Sequence, residues 1–148
     1  MNRDRVISED GINMIEGFES LRLQAYYDLR GILTIGWGHT RGVREGDLIS
    51  REEAEALLRE DLESAQNCIR TAVTNVRLTQ HQFDALTSLV FNIGCTGFHN
   101  SDTLRCLMIG DFDGAAEGFS HWTRAGIEHP AGLIRRRAEE AAWFRTPD

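Results

Sequence analysis

One stretch of this chain, residues 25–40, is patterned for strands, and the sequence on either side of it is patterned for helices. The stretch is rich in Tyr, Ile and Thr and carries Gly31, Gly36 and Gly38, which suits a short twisted hairpin or a three-stranded sheet. Before it, Ser8 is a candidate N-cap, and Ile12, Ile15 and Phe18 recur at helical spacing, so an amphipathic helix is expected over residues 9–20. After it, Ser50 and Glu53 form a capping box that opens a long helix with Ala54, Leu57, Leu58, Leu62, Ala65 and Ile69 on one stripe. Thr79 and Gln82 form a second box, leading into Phe83, Leu86, Val90 and Ile93, with Gly94 as the stop. Shorter helices are expected from Ser101 and Asp111, and a last one after Pro130. The expected fold class is therefore α+β: a mainly helical chain with a small N-terminal sheet lobe, a long connecting helix and a helical C-terminal lobe. The two lobes, about residues 1–50 and 51–148, would form one domain with a ligand cleft between them.

Composition removes several functions. All 16 basic residues are Arg, which excludes Schiff-base lysines, pyridoxal enzymes and Walker A loops. The 23 acidic residues bring the net charge to -7, the wrong sign for gripping nucleic acid through its phosphates. Eight of these acids lie between Glu45 and Glu63 and read as a solvated helix face. No apolar stretch approaches a signal peptide or a spanning helix, so a cytoplasmic chain without stable membrane insertion is expected. Cys68, Cys95 and Cys106 show no metal spacing and read as buried reduced thiols. His81, His99, His121 and His129 show no paired-ligand arrangement, so neither metal nor cofactor is expected.

The chemistry concentrates in Phe18-Glu19-Ser20-Leu21-Arg22-Leu23-Gln24-Ala25-Tyr26-Tyr27-Asp28, followed by Gly31-Ile32-Leu33-Thr34-Ile35-Gly36-Trp37-Gly38-His39-Thr40. This string resembles the phage-type lysozymes and endolysins, glycoside hydrolase family 24, in which Glu, Asp and Thr stand at the intervals of Glu19, Asp28 and Thr34. The likeness continues through Gln82 to Leu86, Phe91 to Gly94, Ser101 to Leu107, Gly110 to Phe112 and Gly132 to Arg137, and so covers nearly the whole chain. One departure stands out: the family usually has Gly directly after its catalytic Glu, whereas this chain has Ser20 there and an earlier Glu16-Gly17 pair. Aligning on Glu16 would lengthen the interval to Asp28 and lose the Arg-Leu-x-Ala-Tyr match, so Glu19 is taken.

The resemblance implies a lysozyme-like fold and a muramidase that hydrolyses the β-1,4 bond between N-acetylmuramic acid and N-acetylglucosamine of bacterial peptidoglycan. Glycosidic hydrolysis needs one carboxyl that gives a proton to the leaving oxygen and a second, ionised one that activates water or attacks the anomeric carbon. Glu19, near the end of an apolar helix, suits the acid; Asp28, on a turn, suits the base or nucleophile, and Thr34 positions water. Gly36 and Gly38 either admit a sugar near the backbone or let the strands bend. His39 is expected to be structural and bonded to a carboxylate. Phe91 and Asn92 are candidate sugar contacts, with core packing and helix-end bonding as their alternatives. Arg136, within the Arg135–Arg137 concentration, is a candidate contact to anionic peptide stems, with an ion-paired helix face as the alternative. No oligomerisation heptad or exposed apolar strip stands out, so a monomer is expected. Without a signal or anchor segment it is expected to accumulate in the bacterial host cytoplasm, and the resemblance implies that it reaches the periplasmic wall through a pore-forming holin. A lytic transglycosylase using Glu19 alone, or an inactive wall-binding module, are the rival readings.

Overall fold

The structure, a computed structural model, describes residues 1–125 and 128–148. Its elements run α1 (Glu9–Phe18), β1 (Arg22–Tyr27), β2 (Leu33–Gly36), α2 (Arg51–Ala72), α3 (Gln80–Ile93), α4 (Cys95–His99), α5 (Asp102–Met108), α6 (Phe112–Glu117), a 3₁₀ turn (Gly118–His121) and α7 (Ala131–Arg145). The chain divides into two compact units, one of Met1–Ile12 with Ala65–Asp148 and one of Asn13–Ser64. The expected boundary near residue 50 is displaced at both ends. Residues 1–12 belong with the larger unit because their polar groups are satisfied there: Asn2 Nδ2 donates to the Val73 and Val76 carbonyls and Gln66 accepts from the Ile7 N–H.

In the larger unit, α3 is the buried axis, with Phe83, Leu86, Leu89 and Val90 packed against Ile69, Leu78, Phe98, Leu107, Phe119 and Phe144. Its start is held by the full box: Thr79 Oγ1 accepts from the Gln82 N–H at 3.1 Å, and Gln82 Oε1 accepts from the Thr79 N–H at 2.9 Å. Ser101 and Asp111 cap α5 and α6 through their side-chain oxygens. Ser8 caps α1, taking the Gly11 N–H, and itself binds Asp84 of α3, whose carboxylate also accepts from the Ser8 N–H and Gln80. Gly11 is required there, since a Cβ would meet the Asp84 carboxyl at 2.6 Å.

Two of the three consecutive arginines of α7 turn inward, and Arg135 stays exposed. Arg136 and Arg137 are 6% and 1% exposed and Glu140 is wholly buried. Glu140 Oε2 pairs with Arg136 at 3.2 Å and accepts from Ser88, while its Oε1 accepts from Arg137. Burial dominates the Arg137 guanidinium and lowers its pKa, opposed by Glu140. The Arg136 contact with peptide stems is therefore corrected to an internal ion pair, because the guanidinium is already satisfied by Glu140 and by the Ser88 carbonyl. The cysteines are corrected as well: Cys68 and Cys95 form a disulfide, and Cys106 alone is a free, half-buried thiol.

In the smaller unit, β1 and β2 pair antiparallel with Tyr26 opposite Thr34 and Tyr27 opposite Leu33, and the register shifts between Arg22 and Tyr26. The β pattern begins three residues earlier than expected, at Arg22, because the 47–49 segment also pairs with β1: Ala25 N–H donates to the Asp47 carbonyl and Ile49 N–H to that of Leu23. Ile15, Ile35, Trp37, Ala54, Leu58 and Leu62 are its buried apolar side chains. Ser50 and Glu53 exchange the two bonds of their capping box at 3.1 Å each.

Two outcomes follow for the larger unit. Glu140→Gln removes the charge between two buried guanidinium groups and is expected to cost about 3–5 kcal/mol in urea denaturation, against well under ~1 kcal/mol for the exposed Glu139→Gln. At the N-terminus, hydrogen bonds from Arg77 hold the Asp4 carboxyl down at about 2, below its ordinary 3.8. Because that folded value is depressed, the linked stability is present above the ordinary value and is lost as pH falls toward 2. A carboxyl NMR titration should show this midpoint in the wild type and its return toward 3.8 in Arg77→Gln.

Candidate active site

Glu19, Asp28, Thr34, Gly36, Gly38 and His39 all fall in the smaller unit. Glu19 lies one residue past α1, half-buried, its N–H still donating to the Ile15 carbonyl at 3.2 Å, so the last turn of the helix sets its position. Ser20 and Leu21 then carry the chain into β1. Glu16, the competing register, sits inside the helix.

Asp28 follows β1 and organises the hairpin turn. Its Oδ1 accepts from the N–H groups of Arg30 at 2.9 Å and Ile32 at 2.8 Å, while its own N–H donates to the Ile32 carbonyl at 2.9 Å. An Asp side chain that binds backbone two and four residues ahead makes the turn itself. Gly31, at φ +79°, supplies the left-handed residue that closes it. Thr34 is 3% exposed, and its hydroxyl donates to the same Ile32 carbonyl at 2.8 Å. The backbone of Ile32 thus holds both polar side chains: its N–H donates to the carboxylate and its carbonyl accepts from the hydroxyl. What remains available is the second Asp28 oxygen and the lone pairs of Thr34 Oγ1. Both are hydrogen-bond acceptors.

His39 fastens the next loop. Ile35 and His39 exchange backbone hydrogen bonds at 2.9 Å around Gly36, Trp37 and Gly38, with φ at the two glycines of +67° and +82°. Its Nδ1 lies 2.8 Å from Asp61 Oδ2 and its Nε2 lies 2.8 Å from the Arg41 carbonyl. Asp61 was hidden in the run of acids read as a solvated face; its neighbours on the buried stripe, Leu58 and Leu62, are the signal that it sits at the edge of that face. Arg51 lies over the buried Trp37 ring, and Arg22 over Tyr26 at 4.3 Å. Tyr27 donates to Glu45 at 2.5 Å, and this bond, more than any other influence, raises the phenol pKa.

The other candidates fall in the larger unit. Phe91 is half-buried and packs on the core. Asn92 accepts from Arg137 and, with Ile93, His121, Trp122, Arg124 and Leu133, lines a hollow of about 340 Å³.

Glu19 at a helix end and Asp28 and Thr34 at a hairpin turn all belong to the smaller unit of a mainly helical chain, and comparisons with known proteins place that chain in the lysozyme class of glycoside hydrolases. The family model for phage lysozyme matches residues 16–140. An endolysin of Acyrthosiphon pisum secondary endosymbiont phage 1 is 44% identical over 95% of this chain and 98% of its own length. The muramidase domain of SpmX from Asticaccaulis excentricus superposes with a TM-score of 0.90 at 43% identity, covering 97% of this chain and 99% of that one. A P22 lysozyme mutant superposes at 0.87 with 40% identity over 95% and 98%. The chain belongs to the phage lysozyme family, and it is a glycoside hydrolase of the lysozyme type.

His39→Ala deletes the ring that spans Asp61 and the Arg41 carbonyl. We expect a loss of about 1–3 kcal/mol in urea denaturation, with broadened or shifted NMR resonances for residues 35–41.

Proposed function

We propose that this chain is an endolysin muramidase that hydrolyses the β-1,4 bond between N-acetylmuramic acid and N-acetylglucosamine in bacterial peptidoglycan, with Glu19 as acid, Asp28 as base and Thr34 holding the water. The observation that supports the assignment is that the Ile32 backbone binds both side chains and leaves an acceptor on each. A water that gives one hydrogen bond to Asp28 and one to Thr34 turns its oxygen lone pair outward, toward an anomeric carbon. Asp28 takes the water proton as the oxygen–carbon bond forms, and Glu19 passes its proton to the departing glycosidic oxygen as the old bond breaks. The products are a reducing-end muramic acid and a free 4-hydroxyl. Because Thr34 has already given its own proton to Ile32, it does not compete as a donor for the water. That arrangement favours direct attack by water with inversion over a covalent intermediate on Asp28.

Among the described residues no helix is long and apolar enough to cross a membrane. In our reading the chain works as a monomer that accumulates in the host cytoplasm and meets the periplasmic wall once a pore-forming holin opens the way.

Digestion of purified peptidoglycan, with muropeptides identified by mass spectrometry, tests the assignment. Glu19→Gln and Asp28→Asn are each expected to lower turnover by about 10³-fold or more while circular dichroism is unchanged. Thr34→Val is expected to lose at least ~10-fold, and Thr34→Ser to retain most of the rate. Products with 1,6-anhydro ends would replace this reading with a transglycosylase, and binding of wall fragments without release would replace it with a wall-binding module.

A further inference from the structure

The larger unit holds a second cluster of reactive groups that the hydrolytic reading does not use. Sγ of Cys68 on α2, Sγ of Cys95 at the start of α4 and a ring nitrogen of His99 at its end lie within 4.8 Å of one another. Cys95 and His99 are four residues apart, one helical turn, so they project on the same side of α4. Cys68 is 5% exposed, whereas Cys95 and His99 are exposed, so one edge of the cluster is open to solvent. The sequence hid this grouping because Cys68 is 27 residues from Cys95 and no ligand-spaced motif contains all three.

In the oxidised chain the two sulfurs satisfy one another. We propose that the reduced chain binds a thiophilic d¹⁰ cation, zinc foremost, through Cys68, Cys95 and His99, and that this binding and the disulfide exclude each other. Two thiolates at about 2.3 Å and an imidazole at about 2.0–2.1 Å around one tetrahedral ion stand about 3.3–3.8 Å apart. The three ligand atoms lie within 4.8 Å of one another, and once the disulfide is reduced the 5.9 Å between the two cysteine Cα atoms lets side-chain rotation open the sulfurs to that spacing. Two thiolates cancel the charge of the divalent ion, the neutral ring adds none, and the open edge leaves the fourth position to water. The redox balance is simple: a phosphine or dithiol supplies two electrons, the disulfide becomes two thiols, and both thiols release their protons to solvent as the ion binds.

The test uses the full, untagged chain and does not depend on its hydrolytic activity. Reduced with a phosphine, it is expected to retain about one zinc per molecule in equilibrium dialysis and to give the thiolate charge-transfer and tetrahedral ligand-field bands when titrated with cobalt(II). The oxidised chain should retain none. Cys95→Ser and His99→Gln, at exposed positions, should each weaken the reduced chain's binding by ~10-fold or more, and Cys106→Ser should leave it unchanged. The proposal is overturned if the reduced wild type holds no zinc above the buffer blank, or if Cys95→Ser and His99→Gln hold as much as wild type. It is equally overturned if reduction unfolds the chain and zinc does not restore its circular dichroism spectrum.

Discussion

A charge taken out of water must be answered by hydrogen bonds or an opposite charge, and three carboxylates carry that constraint through this protein. Glu140 sits at the contact of α3 and α7, where Ser88, Arg136 and Arg137 all converge on it. Asp84 draws the first turn of α1 to α3 through Ser8, at a place where only glycine leaves room. Asp61 does the same for the smaller unit by holding His39. Each group is useless alone and costly unpaired, so each one specifies which neighbour must be present.

The hairpin turn uses the same logic for chemistry. Asp28 spends one oxygen on the backbone to shape the turn and keeps the other, and Thr34 spends its proton and keeps its lone pairs. A turn stabilised in this way presents its polar atoms in a set orientation before any substrate arrives, which is what the proposed water-holding role of Asp28 and Thr34 requires. His39 and the Gly36–Gly38 bend hold the following loop, so the rigid elements on both sides of Thr34 are tied down.

The helices were legible because their signals are local. Two reciprocal capping boxes, the stop at Gly94 and the caps at Ser101 and Asp111 stand where the spacing of Ser, Thr, Asp and Gly indicated. The short α4 and the 3₁₀ turn were not legible, since five- and four-residue segments carry too little periodicity to register. The third pairing segment beside β1 escaped for another reason: residues 47–49 join through backbone bonds that side-chain patterning does not record.

By itself the sequence determined the family and the helical plan, and it put forward Glu19, Asp28 and Thr34 as candidates, because these are matters of residue type at fixed intervals along the chain. Tertiary structure decided the rest. A run of three arginines looks like a basic surface, and only the placement of Glu140 and Ser88 makes two of them internal. Asp61 looks like one acid among eight until His39 is beside it. Cys68 and Cys95 look like separate thiols until folding closes their 27-residue separation. In each case the deciding quantity is a distance between residues remote in sequence, and local pattern carries no information about it.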